Sequence, residues 1–160
     1  MKLTCFENIL VGWHFGQGIH PKQSSLEARQ FLEFVGLQDK IGNLASGLRL
    51  AERKRLEIAR ALSTRPKLIL LDEVAAGLNP IEVQSMIGLL RKIHNQGITL
   101  LVVEHVMSLV MDISKRVVVL NEGKKIADGP PDNVVSDPKV IQVYLGQSEP
   151  FEAFPDLMPN

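Results

Sequence analysis

The sequence predicts an α/β fold built on a parallel sheet with flanking helices. Two short apolar runs, residues 67–71 and 98–103, have strand length and read as buried on both faces. Between them lies an amphipathic stretch of helical length opened by Asn79-Pro80-Ile81-Glu82. Strand, crossover helix and strand in that order make a parallel unit.

At 160 residues, one domain is the default, burying roughly 68–70% of its unfolded surface. A hydrophobic content of 45% and a positive mean hydropathy describe a folded chain rather than a disordered one. Eighteen Lys and Arg balance eighteen Asp and Glu, so no net field draws it to nucleic acid or an anionic membrane. The lone Cys5 forms no intrachain disulfide, which fits a reducing compartment. The longest apolar stretch, 98–103, falls far short of the ~20 residues of a spanning helix. Residues 1–7 lack the apolar core of a signal peptide. No direct membrane insertion is expected, and any contact with a membrane runs through another protein.

In chain order, residues 12–21 are glycine-rich and mixed, and read as a loop. Ser24-Ser25-Leu26-Glu27 reads as a capping box for a helix whose Ala28, Phe31, Leu32 and Val35 share a face before Gly36. A loop over 39–47 leads into a basic helix over 51–63, and Pro66 forces the chain out of it. The helix after Asn79 has Asn as N-cap, Pro at its first position and Glu three after the cap. It buries Val83, Met86, Ile87, Leu90 and Ile93, and Gly97 closes it. A short helix is predicted over 106–114, then strands over 117–120 and 124–127 around Asn121-Glu122-Gly123. Asp137-Pro138 opens a last helix running to Leu145, and the proline-bearing tail past Ser148 reads as frayed.

Two adjacent carboxylates, Asp72 and Glu73, end the first apolar run, and His105 stands just past the second. A parallel strand delivers such residues to one sheet edge, where alternation sends neighbours to opposite sides. Upstream lies Leu48-Arg49-Leu50-Ala51-Glu52-Arg53-Lys54-Arg55-Leu56-Glu57-Ile58-Ala59-Arg60-Ala61-Leu62; downstream lies Ala76-Gly77-Leu78-Asn79-Pro80. In this order and spacing the blocks resemble the C-terminal half of an ABC-type ATPase, the ATP-binding subunit of an ABC transporter. The resemblance is strongest to subunits serving branched-chain amino-acid importers. It runs from Glu7-Asn8-Ile9-Leu10-Val11-Gly12 through Val103-Glu104-His105-Val106-Met107 to Asp137-Pro138 and Tyr144-Leu145-Gly146.

The resemblance implies a P-loop NTPase-like sheet without the N-terminal part of the domain. It implies a partial ATPase domain over 1–148, with a helical and signature region over 1–65, a Walker B to C-terminal region over 66–148, and a tail over 149–160. It implies ATP and Mg²⁺ as cofactors, with Asp72 ordering the metal, Glu73 polarising the attacking water and His105 reaching the γ-phosphate. His14, His20 and His94 carry no such assignment. Leu48, Arg49, Leu50, Ala51 and Glu52 stand where the family's signature contacts a nucleotide held by a partner subunit. Arg49 replaces its serine and Ala51 a glycine, so the hydroxyl contact is lost. Gly77, Leu78 and Asn79 match the D-loop; Asn79 also serves as a helix cap. A second ATP-binding subunit and transmembrane permease subunits are the implied partners, at the cytoplasmic face of the inner membrane.

No G-x-x-x-x-G-K-[ST] string occurs; Gly42 to Gly47 followed by Leu48-Arg49 lacks its lysine and hydroxyl. The family's phosphate loop, adenine-stacking aromatic and Q-loop glutamine precede the region matching Glu7-Asn8, so the chain reads as part of a longer ATPase. It is then either the hydrolytic half of an import ATPase or a non-catalytic half docking on a complete one. An unrelated α/β binding domain would have to match all these spaced motifs by chance. Without the phosphate-loop strand, 98–103 and 117–120 should flank a gap or collapse onto each other.

Overall fold

A computed structural model of the chain describes residues 2–17 and 21–145. It divides into two units, Met1–Leu109 and the residues from Val110 onward.

The first unit opens with helix α1 (Cys5–Gln17). Thr4 and Glu7 cap it reciprocally: the Glu7 carboxylate accepts from the Thr4 N–H at 2.7 Å, and the Thr4 hydroxyl accepts from the Glu7 N–H at 3.2 Å. Residues 12–17 therefore belong to a helix and not to the loop expected from their glycines. The reason is packing. A β-carbon on Gly12 would sit 2.6 Å from the Arg60 carbonyl oxygen, and one on Gly16 would sit 2.7 Å from the Thr64 Cα. Glycine lets α1 approach the helix that carries Arg60.

Helix α2 (Pro21–Phe34) begins three residues before the expected cap, with proline at its first position. Glu27 is therefore mid-helix rather than a capping residue. Its carboxylate accepts from the Trp13 indole N–H and from Arg65, each at 2.8 Å. Ala28, Leu32 and Val35 are fully buried as the helical period predicts, and Gly36 ends the helix at φ +76°.

Helix α3 (Leu50–Leu62) buries Leu56, Ile58, Ala59 and Leu62. Strand β1 (Leu68–Asp72) pairs in parallel with β2 (Thr99–Val103), Leu70 opposite Leu101 and Asp72 opposite Val103. Helix α4 (Pro80–Asn95) crosses between them. Its capping box is complete: Asn79 Oδ1 accepts from the Glu82 N–H, and Glu82 Oε2 from the Asn79 N–H, both at 3.0 Å. Val83, Met86, Ile87, Leu90 and Ile93 are buried, as the helical period requires.

The strands are not buried on both faces. Ile69 and Leu71 lie in the core, but Leu68, Leu70, Leu101 and Val103 are half or more exposed. A continuous apolar run states only that both faces suit burial; what covers each face is decided elsewhere in the chain. Among the described residues β2 pairs with β1 alone, and residues 5–17 are helical and add no strand. Helix α5 (Met107–Ile113) runs across the division between the units.

In the second unit β3 (Val117–Asn121) and β4 (Lys124–Gly129) form an antiparallel hairpin. Glu122 and Gly123 both have positive φ, 48° and 75°, matching the twist of the flanking strands. Of the two expected outcomes for 98–103 and 117–120, a gap or direct pairing, pairing is not seen: among the described residues β3 pairs with β4. Helix α6 (Pro131–Val135), unforeseen from the sequence, and α7 (Pro138–Val140) pack Val134 and Val140 on Ala127. Asp137 caps α7 by accepting from the Lys139 N–H, and the chain continues as a wider turn over Ile141–Leu145. The tail past Ser148 lies outside the described residues.

Candidate nucleotide-processing site

Apolar residues build β1 up to its last position, where an exposed carboxylate, Asp72, ends it. The ladder to β2 continues one residue further: the Glu73 N–H donates to the Val103 carbonyl at 2.9 Å. Glu73 itself lies at φ +47°, a left-handed conformation uncommon for a residue with a side chain. Asp72 and Glu73 are thus separated by a backbone turn as well as by strand alternation. Backbone outliers of this kind cluster at functional sites.

Three groups converge on that turn. Lys54 Nζ, from α3, donates to the Glu73 carbonyl at 2.7 Å. Glu104, one residue past β2, accepts from the Ala75 N–H at 2.6 Å. The Nδ1 of His105 lies 3.8 Å from Glu73 Oε1, with 66% and 60% of the two side chains exposed. The separation exceeds a hydrogen bond and suits two groups that face solvent and share a ligand. The structure therefore brings Glu73 and His105 together, with Asp72 next in the chain. Sequence reasoning assigned no role to Lys54 or Glu104, although both lie inside the blocks that carried the resemblance. A basic residue on a helix and a carboxylate beside a histidine have many solvated explanations, and only tertiary contact distinguishes them.

The start of α3, where the signature is expected, lies beside the turn at Gly77, where the D-loop is expected. Gly77 lies at φ +77°, and a β-carbon there would come within 2.9 Å of Leu50 Cδ2. The positive φ favours glycine at that position, whereas the Leu50 methyl ends a flexible side chain. Leu48 is buried and Arg49 precedes α3 as its N-cap. The cap is made by Glu52, which accepts from the Arg49 N–H at 2.9 Å and pairs with the Arg49 guanidinium at 3.0 Å. These contacts, the backbone N–H first, hold the Glu52 carboxyl below its usual range. Ala51 is half-buried, and Leu78 and Asn79 lead from the D-loop turn into α4.

Much of the basic segment is occupied internally. Arg55 donates to the Val35 carbonyl at 2.6 Å and the Ser85 hydroxyl at 2.7 Å, tying α2 to α4. Arg65 pairs with Glu27. No helix of the described residues is long and apolar enough to cross a membrane, and no cluster of three or more metal-ligating side chains occurs among them.

The parallel strand pair carries two carboxylates and a histidine to one edge, with a helix N-terminus and a glycine turn alongside, an arrangement that fits a P-loop NTPase-like sheet. Comparison with known proteins specifies the branch. Residues 1–76 match the ABC transporter family, and 124–150 match the family described as branched-chain amino acid ATP-binding cassette transporter. The chain belongs to the ABC transporter ATP-binding family.

It is 38% identical to the high-affinity branched-chain amino acid transport ATP-binding protein BraF of Pseudomonas aeruginosa, over 92% of this chain and 64% of that protein. Identity to LivG of Salmonella typhimurium, which carries the same description, is 42% with the same coverage. Among solved structures, the ADP conformation of MJ1267, an ATP-binding cassette of an ABC transporter, superposes with a TM-score of 0.79 at 31% identity. That match covers 91% of this chain and 64% of that one. The chain thus spans about 64% of the length of the relatives it matches.

Proposed function

We propose that the chain provides the Walker B, signature and switch elements of the ATP-hydrolysing subunit of an ABC importer for branched-chain amino acids. The observation that carries this reading is the convergence of Glu73 and His105, 3.8 Å apart beside Asp72 at the ends of two parallel strands. The named relatives supply the solute class.

The roles follow from chemistry. Asp72 presents hard oxygen donors in solvent, which suits Mg²⁺. That ion keeps several waters and takes one or two carboxylates together with substrate phosphates, so a single aspartate fits it without a larger cluster, none of which occurs among the described residues. Magnesium, when bound, neutralises charge developing on the phosphate oxygens. Glu73 accepts a proton from the attacking water at its carboxylate. His105 donates a hydrogen bond toward the phosphate from the opposite strand. The phosphates themselves require a phosphate loop, and these 160 residues contain no such string. The partners are a second ATP-binding subunit and permease subunits that hold the assembly at the cytoplasmic face of the membrane.

The test combines the chain with a segment carrying the phosphate loop of a relative, fused or in trans. ATP hydrolysis should appear only in the combination, and branched-chain amino-acid uptake should return to cells lacking the corresponding subunit. Magnesium-dependent turnover by the 160 residues alone, abolished by Glu73→Gln, would refute the division of labour described here.

A further inference from the structure

Three successive residues at the end of β2 each touch the segment 73–75. The Val103 carbonyl accepts from the Glu73 N–H at 2.9 Å. Glu104 Oε1 accepts from the Ala75 N–H at 2.6 Å, and the His105 ring lies 3.8 Å from the Glu73 carboxylate. The second carboxylate oxygen of Glu104 accepts from the His105 N–H at 3.2 Å. One side chain therefore holds two backbone amides from different parts of the site. Ala75 is 2% exposed, and its carbonyl in turn accepts from the Leu78 N–H at 3.1 Å, forming the turn that presents Gly77 and Leu78.

We propose that Glu104 is a positioning residue that fixes the switch histidine and the D-loop turn to each other, so that a displacement of one is felt at the other. The inference rests on the proposed function for the meaning of those two elements, but its physical content is a coupling between residues 75–78 and 105. A carboxylate suits this task because its two oxygens accept separately and charge strengthens each bond. Glutamine retains one acceptor and turns an N–H₂ toward the other amide. Alanine removes both contacts and leaves the Ala75 N–H buried without its partner.

The coupling is read on the 160-residue chain by nuclear magnetic resonance, with no nucleotide present. Gly77→Ala displaces the D-loop turn, because the added β-carbon meets Leu50 at positive φ. This substitution should shift the His105 imidazole resonances when Glu104 is present. The shift should shrink by half or more in Glu104→Gln and vanish in Glu104→Ala, a non-additivity that a merely structural residue does not produce. Amide exchange at Ala75 should also rise about tenfold or more in Glu104→Ala, with Ile69 and Leu71 unchanged. An equal His105 response in all backgrounds, or unchanged exchange at Ala75, overturns the proposal. If Glu104→Ala does not fold, the Glu104→Gln comparison decides alone. Because hydrolysis does not enter the readout, failure here leaves the proposed function standing, and a chain that never supports ATP turnover leaves this coupling measurable.

Discussion

The ammonium of Lys54 donates to the backbone carbonyl of Glu73 at 2.7 Å, joining α3 to the residue proposed as general base. Glu73 holds a left-handed backbone, and its two peptide groups are fixed from different directions, by Lys54 on one side and the Val103 carbonyl on the other. Lys54→Met should therefore destabilise the chain by about 1.5–3 kcal/mol, the range for a hydrogen bond with one charged partner. Lys54→Arg should recover part of that loss. Urea denaturation with an unchanged slope is the check, and equal midpoints for wild type and Lys54→Met would remove Lys54 from the site.

Glu73 itself should separate stability from activity. In the combination that hydrolyses ATP, Glu73→Gln should lower turnover by ~10²–10⁴-fold while nucleotide binding persists. Glu73→Gly should be equally inactive yet more stable than wild type by about 1 kcal/mol, because glycine adopts positive φ without strain. Calorimetry and a coupled ATPase assay on the same samples read both. A glycine variant that melts lower than wild type would contradict the strain assignment.

The close approach of α1 to α3 leaves no room for a methyl group. Gly16→Ala would place its β-carbon 2.7 Å from the Thr64 Cα, against backbone that cannot swing aside. A loss of about 1–3 kcal/mol is expected, the usual range for overpacking. Gly47→Ala, with nothing within 4 Å of the added carbon, is the control and should fall within about 0.5 kcal/mol of wild type.

The glycines of α1 also show what the sequence did and did not disclose. Gly12 and Gly16 read as loop formers because a window of residues weighs glycine by its freedom, whereas here it serves close helix contact. Asn79, Pro80 and Glu82 were legible because capping is local, set by side chains three residues apart. The placement of Asp72, Glu73 and His105 at the ends of β1 and β2 was legible because a strand end is local too. The exposed Leu70 and Leu101 were not, since a run of apolar residues says nothing of what covers it. Lys54 and Glu104 act across 19 and 29 residues of chain, beyond any periodicity argument.

Acid should weaken the N-terminal cap of α3. The Arg49 N–H and guanidinium hold the Glu52 carboxyl below its ordinary value, so its contribution is complete above the unfolded value of about 4.3. It is lost as pH falls through the lower folded value. Stability measured from pH 6 downward should therefore fall less steeply in Glu52→Gln than in wild type. Parallel slopes for the two proteins would show that this carboxylate is not linked to folding.

The apolar face of β1 and β2 should govern solubility. Leu70 and Leu101 are register partners, 67% and 58% exposed, beside an edge that carries no further strand among the described residues. Such surfaces promote self-association. The double variant Leu70→Glu, Leu101→Lys places opposite charges across the pair, an arrangement favourable in sheets. It should remain monomeric at concentrations where the wild-type chain associates in light scattering. Equal association would move the sticky surface elsewhere.

The left-handed backbone at Glu73 also bears on inheritance. Glutamate codons become glycine codons by one base change, and at this position the replacement eases the chain rather than burdening it. If Glu73→Gly is the more stable chain, folding alone offers no protection for the carboxylate. In a lineage that had stopped using the site, this glutamate should be among the first residues to disappear.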